Sequence, residues 1–182
     1  RIEARGVDNL PQRGPYIIAP NHLSFADAPS VAACLPWRIA DQSFFLGSTD
    51  YFGGPITSRI AGFINVIPVN MDAKLYSAMQ LSAMVLRHGK VLLVFPEGSR
   101  SRDGLIKEFK KGVAIVAKEM NVPIVPAAIQ GTFEMLPPGR AMIRPVKITV
   151  TFGKPLEPAG KDYNELTRAL YDKVSGLLEK RG

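Results

Sequence analysis

The chain has 182 residues, of which 46% are hydrophobic and 21% charged, fractions that are ordinary for a globular protein and exclude bulk disorder. With 23 Lys and Arg against 16 Asp and Glu, the formal charge is +7, which fits a merely basic surface or an anionic partner: phospholipid headgroups, a phosphorylated substrate, an acidic carrier protein or nucleic acid. Cys34 is the one cysteine, so an intrachain disulfide is excluded and a reducing compartment fits; no apolar run approaches the ~20 residues of a membrane-spanning helix, and no basic stretch followed by an apolar one marks a signal peptide.

Apolar runs and helical patterns alternate along the chain, which predicts an α/β fold with a mixed β-sheet flanked by helices. Pro15 to Pro20 reads as a short buried strand, and Asp27 to Leu35 as a short helix with an acidic start. Ser43 to Leu46 is a second strand and Asn65 to Asn70 a third, where Pro68 signals an edge or a bulge. Asp72 caps the next helix, whose Leu75, Met79, Val85 and Leu86 follow helical spacing up to Gly89. Lys90 to Phe95 is short, apolar and β-branched, the clearest strand of all. Gly112 to Met120 then reads as helix, Ile124 to Ile129 as strand, and Val146 to Phe152 as an alternating strand. Pro137, Pro138 and Gly139 mark a surface loop. A closing helix from about Tyr163 to Lys180 puts Leu166, Leu170, Val174 and Leu177 on one face.

Two stretches carry candidate chemistry. Of the two histidines, His88 ends a predicted helix beside Arg87 and Gly89, where a C-terminal cap or plain exposure explains it. His22 instead directly follows a predicted strand, in Asn21-His22-Leu23-Ser24-Phe25-Ala26-Asp27. If Asp27 opens a helix, the turn folds its carboxylate back onto the imidazole and fixes the tautomer, leaving the other ring nitrogen to act as a base. The same residues also fit a plainer reading, in which Asn21 and Asp27 satisfy turn and cap hydrogen bonds while His22 only packs. The second stretch, Phe95 to Arg102, again leaves a strand end. Glu97 can accept hydrogen bonds from a polyol, Gly98 permits close approach, and Arg100 can clamp a phosphate in bidentate fashion. Arg102, Lys107, Lys110 and Lys111 extend the positive run, which as solvated charge needs no ligand. There is no Gly-x-Ser-x-Gly elbow, no phosphate-binding Gly-x(4)-Gly-Lys-Ser/Thr run, no zinc spacing and no nucleic-acid motif.

Together the two stretches resemble the glycerolipid acyltransferase family, the PlsC-like or 1-acylglycerol-3-phosphate acyltransferase type. Asn21, His22 and Asp27 match its Asn-His-x(4)-Asp motif, Phe95 to Ser101 its Phe-Pro-Glu-Gly-Thr/Ser-Arg-Ser motif, and Val122 to Pro126 its Val-Pro-Ile-Val-Pro motif, in the same order. The resemblance covers nearly the whole chain. It implies an acyltransferase-like fold and transfer of a fatty acyl group from a CoA or acyl-carrier-protein thioester to the hydroxyl of a lysophospholipid, with no metal, no other cofactor and no acyl-enzyme. It further implies that His22 is the base and Asp27 its orienter, that Glu97, Gly98, Ser99 and Arg100 bind the acceptor, and that Pro123 and Pro126 shape the site.

One motif departs from the pattern. Where the family's second motif commonly ends Asp-Arg, this chain has Ile67-Pro68-Val69-Asn70-Met71. A cation for the acceptor phosphate is missing there, which predicts that a lysophospholipid with a diester headgroup serves at least as well as lysophosphatidate. The pattern is similar to members fused to an adenylate-forming acyl-activating domain, so residues 1–182 are expected to be one acyltransferase domain of a longer chain. Peripheral attachment to the cytoplasmic face of a membrane is expected from the substrates. The apolar region of Phe44, Phe45, Tyr51, Phe52, Pro55, Ile56, Ile60 and Phe63 suits an interface, an acyl tunnel or ordinary core. Two alternatives remain: a catalytically silent lipid-binding or scaffold domain of the same fold, and an acyltransferase for a non-glycerol acceptor.

Overall fold

The computed structural model of the chain describes residues 1–48, 65–69, 75–137 and 142–179. In chain order they form β1 (Ile2–Arg5), a 3-10 turn (Val7–Asn9), β2 (Tyr16–Pro20), α1 (Asp27–Cys34), α2 (Trp37–Ala40), β3 (Ser43–Ser48), β4 (Val66–Val69), α3 (Leu75–Arg87), β5 (Val91–Leu93), α4 (Gly112–Met120), β6 (Ile124–Gln130), α5 (Thr132–Met135), β7 (Ile148–Phe152) and α6 (Tyr163–Glu179). The seven strands form one sheet in the order β1-β7-β6-β2-β5-β3-β4. All neighbours are parallel except β6 and β7, so the sheet is mixed as expected.

Burial on both sheet faces explains why the inner strands are continuously apolar rather than alternating. All five residues of β2 are buried. Tyr16 and Ile18 point into a core with Leu10, Val31, Leu35 and Ile39 on the α1 and α2 side. Ile17 and Ala19 point the other way, among Leu86, Val113, Ala117, Leu166 and Leu170 of α3, α4 and α6. The apolar face read for α6 is thus the face that packs on the sheet. Its start is set by a capping box: Asp162 Oδ1 accepts from the amides of Asn164 and Glu165, at 2.7 and 2.8 Å, while Glu165 Oε2 accepts from the Asp162 amide.

Pro68 lies in β4, an outermost strand of the sheet, consistent with the edge position its missing donor requires. Among the apolar residues set aside as interface, tunnel or core, Phe45 is buried in the α1-side core and Phe44 packs on the opposite one. Tyr51, Phe52, Pro55, Ile56, Ile60 and Phe63 lie outside the described residues, as do Asn70, Met71, Asp72, Pro138, Gly139 and Lys180.

Besides the four-residue α2, β1 and α5 escape a reading of local pattern. β1 is half polar, with burial alternating between exposed and intermediate. It exists because β7 offers it a ladder from Ile2↔Ile148 to Arg5↔Thr151, closed by the 2.7 Å ion pair of Lys147 with Glu3. α5 follows β6 through Gly131, whose φ of +88° and close approach to the Lys147 carbonyl leave no room for a Cβ. That turn brings Leu136 back over the carboxyl end of β2.

Candidate active site

At the carboxyl end of β2 the chain leaves the sheet, and Asn21 fixes where it goes. Its buried side chain donates from Nδ2 to the Ile129 carbonyl (3.1 Å) and accepts at Oδ1 from the Ile129 amide (2.7 Å). These two bonds extend the β2–β6 pairing by one side chain beyond Pro20.

His22 is then held from several sides. Its amide donates to Glu97 Oε1 at 2.8 Å, and its carbonyl accepts from the Ser101 amide at 2.8 Å. Its ring stacks on Phe95, with centroids 3.9 Å apart and planes 14° apart. Asp27, the first residue of α1, is fully buried, and a buried carboxylate requires partners. Three donors converge on its Oδ2: the amides of Leu23 (2.6 Å) and Ser24 (2.7 Å), and His22 Nδ1 (2.8 Å). With Asp27 ionised, Nδ1 carries the proton in the neutral imidazole, and the lone pair is on Nε2. Among the described residues Nε2 makes no hydrogen bond, and the side chain keeps 19% exposure. The described geometry is therefore an imidazole oriented by a carboxylate, with Nε2 unengaged among the described residues.

Glu97 sits beneath this loop rather than on its surface. It is 2% exposed, and both carboxylate oxygens face backbone donors, His22 N at 2.8 Å and Lys107 N at 3.2 Å. Burial pushes its carboxyl up to about 7, against the lowering effect of the two amides. A polyol hydroxyl would share oxygens that already hold the loop together. Gly98 has φ of +70°, and a Cβ there would meet the Lys110 side chain. Ser99 is exposed and accepts from Lys107 Nζ at 2.6 Å, which gives that lysine a partner that its reading as simple solvated charge lacked. The Arg100 guanidinium lies 3.4 Å over the ring of Phe25, in the loop between His22 and Asp27. The strand-end loop of β5 and the loop of His22 are thereby one unit.

The other protein nucleophiles of the region are occupied. Ser24 Oγ donates to the Leu136 carbonyl at 3.0 Å and Ser101 Oγ to Asp103 Oδ1 at 2.8 Å. Cys34 is buried, and burial raises its thiol. No described serine, threonine or cysteine side chain is hydrogen-bonded to the His22 imidazole. His88 is elsewhere: exposed beyond the end of α3, its Nδ1 2.8 Å from the Met84 carbonyl, which is a helix-terminus role. Phe95 and Ser24, which hold the base and its loop, were not singled out from sequence for these roles. Their only signal is membership of the two motifs, because the stack and the Leu136 bond join segments 73 and 112 residues apart.

Fold and site define a class: an α/β protein with a histidine–carboxylate pair at the carboxyl end of a parallel strand and, among the described residues, no side-chain hydroxyl or thiol hydrogen-bonded to the imidazole. The Acyltransferase family model matches residues 1–130, and the chain belongs to that family. A chloroplastic 1-acyl-sn-glycerol-3-phosphate acyltransferase of Arabidopsis thaliana is 29% identical over 167 residues, covering 89% of this chain and 45% of that protein. One of Bacillus subtilis is 23% identical, covering 98% of this chain and 89% of its own length. Among solved structures, the 1-acyl-sn-glycerophosphate acyltransferase PlsC of Thermotoga maritima superposes with a TM-score of 0.83 at 26% identity, covering 100% of this chain and 73% of that one. This chain spans about half the length of the plant and algal relatives it matches.

Proposed function

We propose that this chain transfers a fatty acyl group from a thioester, of CoA or an acyl carrier protein, to the hydroxyl of a lysophospholipid. The observation that carries the reading is the 2.8 Å contact of His22 Nδ1 with buried Asp27, with no side-chain hydroxyl or thiol of the described residues on the imidazole. Nε2 takes the proton of the acceptor hydroxyl as its oxygen attacks the thioester carbonyl. The tetrahedral intermediate then collapses, the C–S bond breaks, and the thiolate recovers the proton from Nε2. Ester and free thiol are the products, and His22 returns to its starting state. Asp27 holds the tautomer and stabilises the imidazolium that forms in between. The names of the Arabidopsis thaliana and Bacillus subtilis relatives, both 1-acyl-sn-glycerol-3-phosphate acyltransferases, and of the Thermotoga maritima 1-acyl-sn-glycerophosphate acyltransferase support a glycerolipid acceptor.

The acceptor headgroup is assigned to the rim formed by Gly98, Ser99 and Arg100. Arg100 supplies one phosphate-directed cation there. Met71 stands where the family pattern has a second, and a thioether carries no charge. A phosphomonoester, near two negative charges, loses more from a missing cation than a singly charged diester does. The test is an acceptor screen read by free-thiol release. The expected result is that a diester lysophospholipid is used at least as well as lysophosphatidate, and that Met71→Arg shifts the ratio toward lysophosphatidate by about 10-fold, the lower range for a hydrogen bond to a charged group. A wild type that strongly prefers lysophosphatidate, with Met71→Arg unchanged, would refute the headgroup assignment. Thiol release with none of the glycerolipids, but with another alcohol, would favour a non-glycerol acceptor.

A further inference from the structure

No described helix is long and apolar enough to cross a membrane; acting on bilayer lipids calls for a surface that seats the site against them. Most exposed apolar side chains here are scattered singly, which is normal and carries no meaning. Three are not. Leu105 is 68% exposed, Met142 80% and Ile143 66%, and the segments that bear them are tethered to the same small body. Gly104, next to Leu105, lies so near α5 that a Cβ there would meet the ring of Phe133 at 3.0 Å. The amide of Arg144, next to Ile143, donates to the Met135 carbonyl in α5 at 2.9 Å. A four-residue helix is only about 6 Å long, so these two segments meet at α5. From its end, Leu136 accepts the Ser24 hydroxyl of the His22 loop, and the loop of Leu105 is joined to His22 through the Ser101 amide. Arg102 and Arg144, both exposed, flank the apolar side chains on the two segments.

We propose that the Leu105 loop and the Met142–Ile143 segment, with Arg102 and Arg144, form a docking surface for an anionic lipid bilayer that seats the His22 site against the membrane. The apolar side chains enter the headgroup boundary and the arginines meet anionic headgroups, the combination that holds an amphipathic surface on charged bilayers. Seating at this rim lets an acceptor hydroxyl reach Nε2 without leaving the bilayer. This inference rests on the acyltransferase reading for its purpose, but its binding measurement stands apart from it. The competing surface is at the opposite end of the sheet, where Trp37 is 80% exposed beside Arg13 and Arg38. Tryptophan favours bilayer interfaces, yet docking there would turn His22 away from the lipid.

The experiment is co-sedimentation of the protein with phosphatidylcholine vesicles, with and without phosphatidylglycerol, for wild type, Met142→Asp/Ile143→Asp, Leu105→Asp, Arg102→Glu/Arg144→Glu and Trp37→Ala. Each is also assayed by thiol release with a vesicle-borne lysophospholipid and with a short-chain, monomeric one. Binding should require phosphatidylglycerol. It should fall at least about 10-fold in the apolar variants, following the loss of buried apolar area, and roughly 25-fold in the arginine pair at about 5-fold per cation. Trp37→Ala should bind as wild type. Turnover should fall in the docking variants with the vesicle-borne acceptor and persist with the monomeric one. The proposal is overturned if wild type ignores phosphatidylglycerol vesicles, if the Met142/Ile143 pair binds as wild type, or if Trp37→Ala alone abolishes binding. It is likewise overturned if the arginine pair loses turnover only with carrier-protein thioesters, which would make the face a protein contact. Absence of turnover with both acceptors in a wild type that binds normally would fail the acyltransferase reading and leave the docking surface standing.

Discussion

The two ends of β2 differ in what they offer a ligand. Beside its amino end lies a cleft of about 630 Å3 lined by Gln12, Arg13, Trp37, Arg38, Asp41 and Gln42. It has volume, an aromatic and cations, but no histidine or cysteine. At its carboxyl end the described residues form a tightly bonded surface, where a buried carboxylate, a stacked imidazole and a brace from the β5 loop converge. Among the described residues, the cleft and the histidine–carboxylate pair lie at opposite ends of one strand. Parallel strands deliver their loops to one end of the sheet, so side chains from β2, β5 and β6 can cooperate there. The cleft, by contrast, depends on α2 and on the segment leading into β2.

The largest effect is expected from removing the imidazole of His22, the proposed base. His22→Ala is expected to lower acyl transfer by roughly 10²–10⁴-fold, the usual contribution of a general base, while thermal unfolding stays near wild type because the backbone bonds of His22 remain. Trp37→Ala should leave turnover with a monomeric acceptor unchanged. Thiol release measured beside thermal melting checks both, and the reverse pattern would move the site to the cleft.

Glu97 ranks next, and its signal is in stability against pH. Burial raises its carboxyl from 4.5 to about 7 in the folded protein. Between these values the folded state binds more protons than the unfolded state, so stability should fall as pH rises from about 4.5 to 7. Integrated over that window the loss is about 3 kcal/mol. Glu97→Gln, which does not titrate, should flatten this segment of the profile in denaturant titrations at a series of pH values. An unchanged slope would show that Glu97 does not carry it.

Asp27→Asn removes the charge behind the imidazole while keeping its size. A hydrogen bond to a charged group is worth about 1.5–3 kcal/mol, so turnover should fall roughly 10–100-fold, less than for His22→Ala. Unlike His22→Ala, it should also lower the melting temperature, because the amides of Leu23 and Ser24 lose a charged acceptor. Arg100→Ala is the mildest change. It should act on KM for the phosphate-bearing acceptor more than on kcat, by about 10-fold, and steady-state kinetics at varied acceptor would reveal the split. An equal fall in kcat would place Arg100 at the reacting atoms instead.

Contacts between near neighbours along the chain are the ones that could be read before folding. The contact of His22 with Asp27 spans five residues, so spacing and a helix start were enough to anticipate it. The strands β2, β3 and β6 and the helices α1, α4 and α6 were legible for the same reason: run length, periodicity and caps are local. Tertiary structure alone decided which distant partners hold these pieces. Glu97 reads from sequence as a surface acceptor of hydrogen bonds, yet the fold places it under the His22 amide, 75 residues away. Asn21 looks like a turn residue, and only the pairing of β2 with β6 gives it the Ile129 backbone, 108 residues on. β1 has no pattern of its own and is a strand because β7 lies beside it. Where hydrogen bonds close across such separations, the ordering cost is met by the assembled sheet rather than by the local sequence, and no window of residues records the partner.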